Sequence, residues 1–252
     1  LGVLILVGTV LYLLWRPEVR ISHIDTTNTV QGEALSVIAR EVMEGKYWGV
    51  FPRDSFLFYP ERAIRQRILE EYPIIESISI SREDLNTIAL TSEARGTAFW
   101  WCGSPDVVIT TDAECYEADE SGFIFQKAIL DASSSPPFHI RAFLDMASST
   151  DETPIRANVV GSGSMPDILS FIRSVEALGT PIASVAIRQD EADLYTIAGV
   201  RIRYVIGEEK DATKDARASF PNLNFANGTI EYVDLRFPGK VYIKRTGELA
   251  SE

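Results

Sequence analysis

The spacing of apolar side chains between Arg20 and Arg95 predicts strand, helix, helix, strand, strand. Val19, Ile21 and Ile24 supply the apolar positions of an opening strand, Arg20 to Thr26. Asn28 and Thr29 offer side-chain oxygens to the free amides of a starting helix, and Gln31 stands where a capping box would place its answering residue. Leu35, Ile38, Val42 and Met43 then share one helical face, and Gly45 closes the helix. Pro60 opens a second helix with Ile64, Ile68 and Leu69 on its apolar face, and Pro73 ends it. Ile74 to Ile80 alternates with period two, Arg82 to Asn86 is a polar turn, and Thr87 to Thr91 returns as the hairpin partner. Three strands holding two helices on one face make a small two-layer module.

Downstream, Arg95 to Ala128 is apolar and aromatic strand material with a turn at Glu120-Ser121-Gly122. Asp131 to Pro137 is a loop of serines and prolines, and His139 to Met146 a strand. Pro166 to Leu178 carries Ile168, Leu169, Ile172 and Val175 at helical spacing, with Gly179 past its end. Strands are predicted at Ile182 to Arg188, Leu194 to Ala198, Gly199 to Ile206, Ile230 to Leu235 and Lys240 to Lys244, with a short charged helix at Lys210 to Ser219. The fold class is α+β, and the second half is a mostly antiparallel β domain with one or two covering helices.

Upstream, Leu1 to Trp15 is apolar apart from Thr9 and the glycines, and Trp15-Arg16 ends it with an interfacial aromatic and a charge. No small-residue cleavage pattern stands near Pro17, so a retained N-terminal transmembrane helix, truncated upstream, is expected rather than a cleavable signal. The organisation is then an anchor over 1–16, a module over 19–95, a β domain over 96–247 and a tail over 248–252.

The 252 residues suffice for two domains with cores of their own, and a net charge of −12 argues against a nucleic-acid partner, which needs a basic face. Two cysteines and two histidines are too few for a zinc site unless all four converge. Gly161-Ser162-Gly163-Ser164 has neither nucleophile-elbow nor phosphate-loop spacing and reads as a surface loop. His23 and His139 have no triad context, and Glu117, Asp119 and Glu120 lack calcium-loop spacing and read as a solvated acidic loop. No catalytic, metal or cofactor residues are assigned. Cys102 and Cys115 flank a segment bounded by strands. They are a disulfide candidate if the domain lies in an oxidising compartment, and two buried thiols otherwise.

Several phrases, in order, resemble one family: "ISHIDTTN" from Ile21, "GKYWGVFPRD" from Gly45, "YPIIESISISREDLNTIAL" from Tyr72, "EARGTAFWW" from Glu93, "ADESGFIF" from Ala118, "GVRIRYVIG" from Gly199 and "IEYVDLRFPGKVYIK" from Ile230. Together they resemble the FtsQ/DivIB bacterial cell-division family over nearly the whole chain. Gly96-Thr97 and the paired cysteines depart from its usual pattern. The resemblance implies a POTRA module followed by a β domain. It also implies a non-enzymatic, single-pass scaffold of the septal divisome in the plasma membrane, with its bulk outside the cytoplasm. The implied partners are FtsB/DivIC-like and FtsL-like coiled-coil proteins, other septal proteins through the POTRA module, and the lipid bilayer through residues 1–15.

The final predicted strand lies near the chain end and is expected at a sheet edge, where unpaired backbone groups accept an incoming strand. By resemblance, Arg236, Phe237, Val241 and Tyr242 border that groove, with Arg236 anchoring an acidic partner residue. Two alternatives are a POTRA-bearing chaperone or transport component of envelope assembly and a membrane-anchored hydrolase. The first would need a C-terminal transmembrane barrel, and the second convergent acid and base groups.

Overall fold

The computed structural model describes residues 2, 9, 12, 15–27, 29–106, 114–129, 138–145, 153–159 and 161–247. The chain divides into two units, Leu1–Arg95 and Gly96–Glu252.

In the first unit, strand β1 (His23–Asp25) runs parallel to β5 (Thr87–Ala94), which pairs antiparallel with β4 (Ile75–Arg82). Helices α1 (Gly32–Met43) and α2 (Glu61–Glu71) bury Leu35, Ile38, Met43, Ile64 and Ile68 against Ile78, Ile80, Ile88 and Leu90. A two-residue hairpin, β2 (Lys46–Tyr47) and β3 (Phe51–Pro52), sits between the helices. Ile75 and Ile78 are three apart and both buried, which a strict period of two forbids; a register shift between Ile75 and Ser77 brings both to the core face.

The opening strand is shorter than the pattern predicts. The Ile21 amide donates to the Asp54 carbonyl at 2.8 Å and the Phe56 amide to the Val19 carbonyl at 3.0 Å, so this stretch pairs with the chain before α2. The expected cap also fails. Helix α1 starts after Gln31, whose φ is 58°, with no side-chain cap. Thr29 instead donates its hydroxyl to the Leu90 carbonyl, and the Val30 amide donates to Ser92 Oγ, tying the helix entry to β5. A Cβ at Gly32 would lie 2.6 Å from Thr26 Oγ1, so glycine is required there. Asn28 lies outside the described residues, as do the 131–137 loop, Met146 and the 248–252 tail.

The second unit is a nine-stranded sheet in the order β14-β13-β12-β11-β10-β9-β6-β7-β8. Its strands are β6 (Phe99–Trp101), β7 (Tyr116–Ala118), β8 (Ile124–Lys127), β9 (His139–Arg141), β10 (Ile182–Arg188), β11 (Glu191–Thr196), β12 (Arg201–Val205), β13 (Ile230–Phe237) and β14 (Lys240–Arg245). The sheet is mixed. Pairs β6/β9, β9/β10 and β12/β13 are parallel and the other pairs antiparallel. Parallel neighbours need a crossover. Helix α3 (Met165–Glu176) lies between β9 and β10 in sequence, and α4 (Glu209–Ser219) between β12 and β13. Both helices enter one core with Leu194, Ile202, Tyr204, Val233 and Leu235. Alternation then turns Asp193, Arg203 and Asp234 to the opposite, helix-free face. Cys102 and Cys115 flank the Trp101–Tyr116 pair of β6 and β7 and form a disulfide.

The expected N-terminal transmembrane helix is corrected. Among the described residues no helix is long and apolar enough to cross a membrane. Of the first fourteen residues, only Gly2, Thr9 and Tyr12 are among those described.

Candidate functional site

The two rims of the large sheet differ. The start of strand β8 is covered by the chain that follows β9: the Ile124 amide donates to the Ala157 carbonyl at 3.0 Å, Arg156 to Ile124 at 2.8 Å and Val159 to Gly122 at 3.0 Å. Strand β14 has β13 on one side and, among the described residues, no backbone partner on the other.

Which groups β14 presents follows from its register. The Thr246 amide donates to the Thr229 carbonyl, and Tyr242 and Lys244 lie opposite Asp234 and Tyr232. In an antiparallel ladder, inward and outward backbone groups alternate. Tyr242 and Lys244 therefore direct their amides and carbonyls to β13, while Val241 and Ile243 direct theirs outward. The side chains alternate too. Val241 and Ile243 pack on the core, and Tyr242, 51% exposed, stands on the helix-free face.

The hairpin joining β13 to β14 is held at its tip. Gly239, at φ 76°, donates its amide to Asp215 Oδ2 on α4 at 2.8 Å, and Asp215 is itself buried. Phe237 and Tyr242 meet edge-on across the hairpin at 5.4 Å, both half-exposed, and the Arg236 guanidinium lies 5.8 Å from the Phe237 ring centre. The four residues predicted for partner binding thus adjoin one rim. Three present a surface: Phe237 and Tyr242 through their rings, and Val241 through its backbone.

Arg236 is already engaged. Its Nε and Nη2 donate to Asp234 at 3.0 and 2.7 Å, and its Nη1 to Glu191 at 2.7 Å. Those bonds raise the arginine further above its ordinary value. Burial pushes the Asp234 carboxyl up, but the bonds and charge of Arg236, with Arg203 beyond, outweigh burial and leave it below the usual aspartate value. The expectation that Arg236 anchors an acidic partner therefore meets an occupied fork; an incoming carboxylate would have to displace Asp234 or Glu191. The pair belongs to a ladder across the helix-free face, in which Arg203 donates to Asp193 at 2.6 and 2.8 Å and Arg188 to the same carboxylate at 3.0 Å.

Strand β14 reads Lys-Val-Tyr-Ile-Lys-Arg, three cations and no acid in a chain of net charge −12. Lysines on an edge keep two copies of the same edge apart, and they favour a partner strand carrying acids.

The other residues singled out by sequence are not brought together. His23 is on β1 of the first unit and His139 on β9 of the second. The His139 ring lies 5.7 Å from that of Trp100, and burial lowers its pKa. Ser162–Ser164 form a single turn leading into α3. The acidic trio is not one solvated loop. Glu117 accepts from Gln126, Glu120 pairs with Arg173, and buried Asp119 accepts from the Ser121 amide and hydroxyl and the Phe123 amide, holding the turn before β8. Among the described residues no group of three His, Cys, Asp or Glu side chains is placed to hold a metal ion.

Sequence reasoning passed over an exposed aromatic cluster in the first unit. Trp48 at the β2–β3 tip is 89% exposed, and Leu57 and Phe58 stand out beside it. The signal in the sequence is the density of rings between Tyr47 and Tyr59. No family model matches this chain, and no curated protein matches it.

Proposed function

We propose that the chain is a non-enzymatic scaffold of bacterial cell division that takes up an extended segment of a partner along β14. The observation that carries this reading is the asymmetry of the large sheet: one rim is covered at its start by the chain itself, and the other, among the described residues, offers the Val241 and Ile243 backbone groups outward. Strand addition at such a rim gains main-chain hydrogen bonds, and alternate side chains then set specificity. The half-exposed rings of Phe237 and Tyr242 are the residue types that carry binding energy at interfaces.

The resemblance to FtsQ/DivIB supplies the partners: FtsB/DivIC-like and FtsL-like coiled-coil proteins at β14, and other septal proteins at the first unit, read as a POTRA module. In that unit β4 ends the sheet order and is the natural place for a second strand addition. The Cys102–Cys115 bond supports an extracytoplasmic location, where such bonds persist.

The test is a binding titration of the FtsB/DivIC-like protein from the same cell against the parent chain and Phe237→Ala/Tyr242→Ala. Loss of a two-ring hot spot is expected to weaken binding by roughly 30-fold or more, with the circular dichroism spectrum unchanged. Equal affinity in a folded double variant would overturn the reading.

A further inference from the structure

The hairpin between α1 and α2 holds a bulky residue in a backbone conformation it rarely adopts. The Val50 amide donates to the Tyr47 carbonyl at 3.0 Å, closing a turn whose central residues, Trp48 and Gly49, have φ of 49° and 74°. Positive φ at both central positions is the tight hairpin geometry that asparagine and glycine normally fill. A tryptophan there is strained and makes no use of burial, since its ring is 89% exposed. The fold therefore holds an indole out into its surroundings at a local cost.

Its neighbours form a continuous apolar surface. Val50, Leu57 and Phe58 are exposed, and Trp48, Phe51 and Phe58 form a chain of edge-on rings 6.1 and 6.4 Å apart around a shallow hollow of about 300 Å³. Two cations stand at its border. Lys46 stands on the hairpin and lies 4.6 Å from the Trp15 ring, and Arg53 lies 5.5 Å from the Tyr47 ring. Of the acids beside it in the chain, Asp54 is taken up by Arg20, and Glu44 is exposed just before the hairpin.

We infer that this hairpin dips into the interfacial layer of a lipid bilayer, with Trp48 as the leading side chain. Exposed tryptophan and phenylalanine flanked by lysine and arginine is the composition of membrane-surface contacts, where rings sit at headgroup depth and cations meet lipid phosphates. Lipid rather than a protein partner is indicated by where the apolar run ends. Trp15, its last residue, donates its indole N–H to the Val50 carbonyl at 3.1 Å, so the residue that ends the apolar stretch of the sequence is tied to the hairpin. An interfacial contact of this kind needs no spanning helix, and it is independent of what β14 binds.

The full chain is mixed with vesicles of phosphatidylcholine and phosphatidylglycerol, plain or carrying bromine on the acyl chains. The same is done with Trp48→Phe, which keeps a ring at the tip. The difference in tryptophan emission between the two chains reports Trp48. The expected result is a blue shift of that difference on plain vesicles and its quenching on brominated ones. An emission that stays that of a water-exposed indole on both would overturn the inference. So would a blue shift that grows with chain concentration in the absence of lipid, which would mean that the tip buries itself in a second copy.

Discussion

Asp193 carries the helix-free face of the large sheet. It is buried, and both its oxygens are engaged by Arg203 and Arg188. Replacing it with alanine leaves Arg203 with Glu191 at 3.5 Å and Arg188 with Asp106 at 3.8 Å as counter-charges, and because both arginines are partly exposed the cost stays below the roughly 3 kcal/mol of breaking a fully buried pair. Asp193→Ala is therefore expected to lower the urea midpoint of the second unit clearly, while Lys244→Ala, which breaks the exposed pair with Glu231, should change it little. His139 gives a pH signature of opposite origin. Burial beside Trp100 lowers its pKa, so the folded chain resists a proton that the unfolded chain accepts. The stability it contributes is complete above the unfolded value of about 6.5 and is lost as pH falls through the lower folded value. His139→Gln should flatten the stability–pH curve below about pH 6.5; an unchanged slope in urea melts across that window would refute it. Asp119 could have been read from the sequence, since an aspartate two residues before Ser121-Gly122 is a turn-forming arrangement. Its burial could not, because that depends on the chain from 156 to 159 crossing in front of β8.

At the scale of elements, β13 and β14 were nearly complete in the sequence: period-two alternation on either side of Pro238-Gly239 sets both strands and the turn. What the period could not give was the order of strands; a rim position for β14 is expected from its place near the chain end, and the strand order agrees. The parallel pairs were equally hidden, because β9, predicted to Met146, ends at Arg141, and its place between β6 and β10 rests on contacts distant in sequence. The register of β14 makes a sharp prediction. Val241→Pro removes an outward amide and should abolish partner uptake while sparing the fold; Tyr242→Pro removes a bond to β13 and should destabilise the hairpin itself. Equal effects of the two on stability would show that the inward and outward assignments are wrong. The Cys102–Cys115 bond belongs to the same scale. It closes a stretch with a sequence separation of 13 between β6 and β7, and its loss is expected to cost about 3 kcal/mol in the chain-entropy model. Melting of the Cys102→Ser/Cys115→Ser chain beside the parent checks this.

At the scale of the whole molecule, two units divide at Arg95 and Gly96, and each has its own core. The first unit's elements were legible because its helices and strands follow one another with clear changes of period. Its surface was not, since exposed rings at the hairpin look, in sequence, like core material. Charge ties the molecule together functionally. A chain of net charge −12 keeps a cationic strip on β14, so partner association should slow as salt rises.

The central claim is that β14 receives a strand from another protein. It is tested most directly by photo-crosslinking amino acids placed singly at Lys240, Tyr242 and Lys244 in living cells, with Gln126 on β8, at the opposite rim, as the comparison. The account predicts adducts to one small partner chain from the three β14 positions and none from Gln126. Adducts from Gln126 alone, or none from β14, would contradict it.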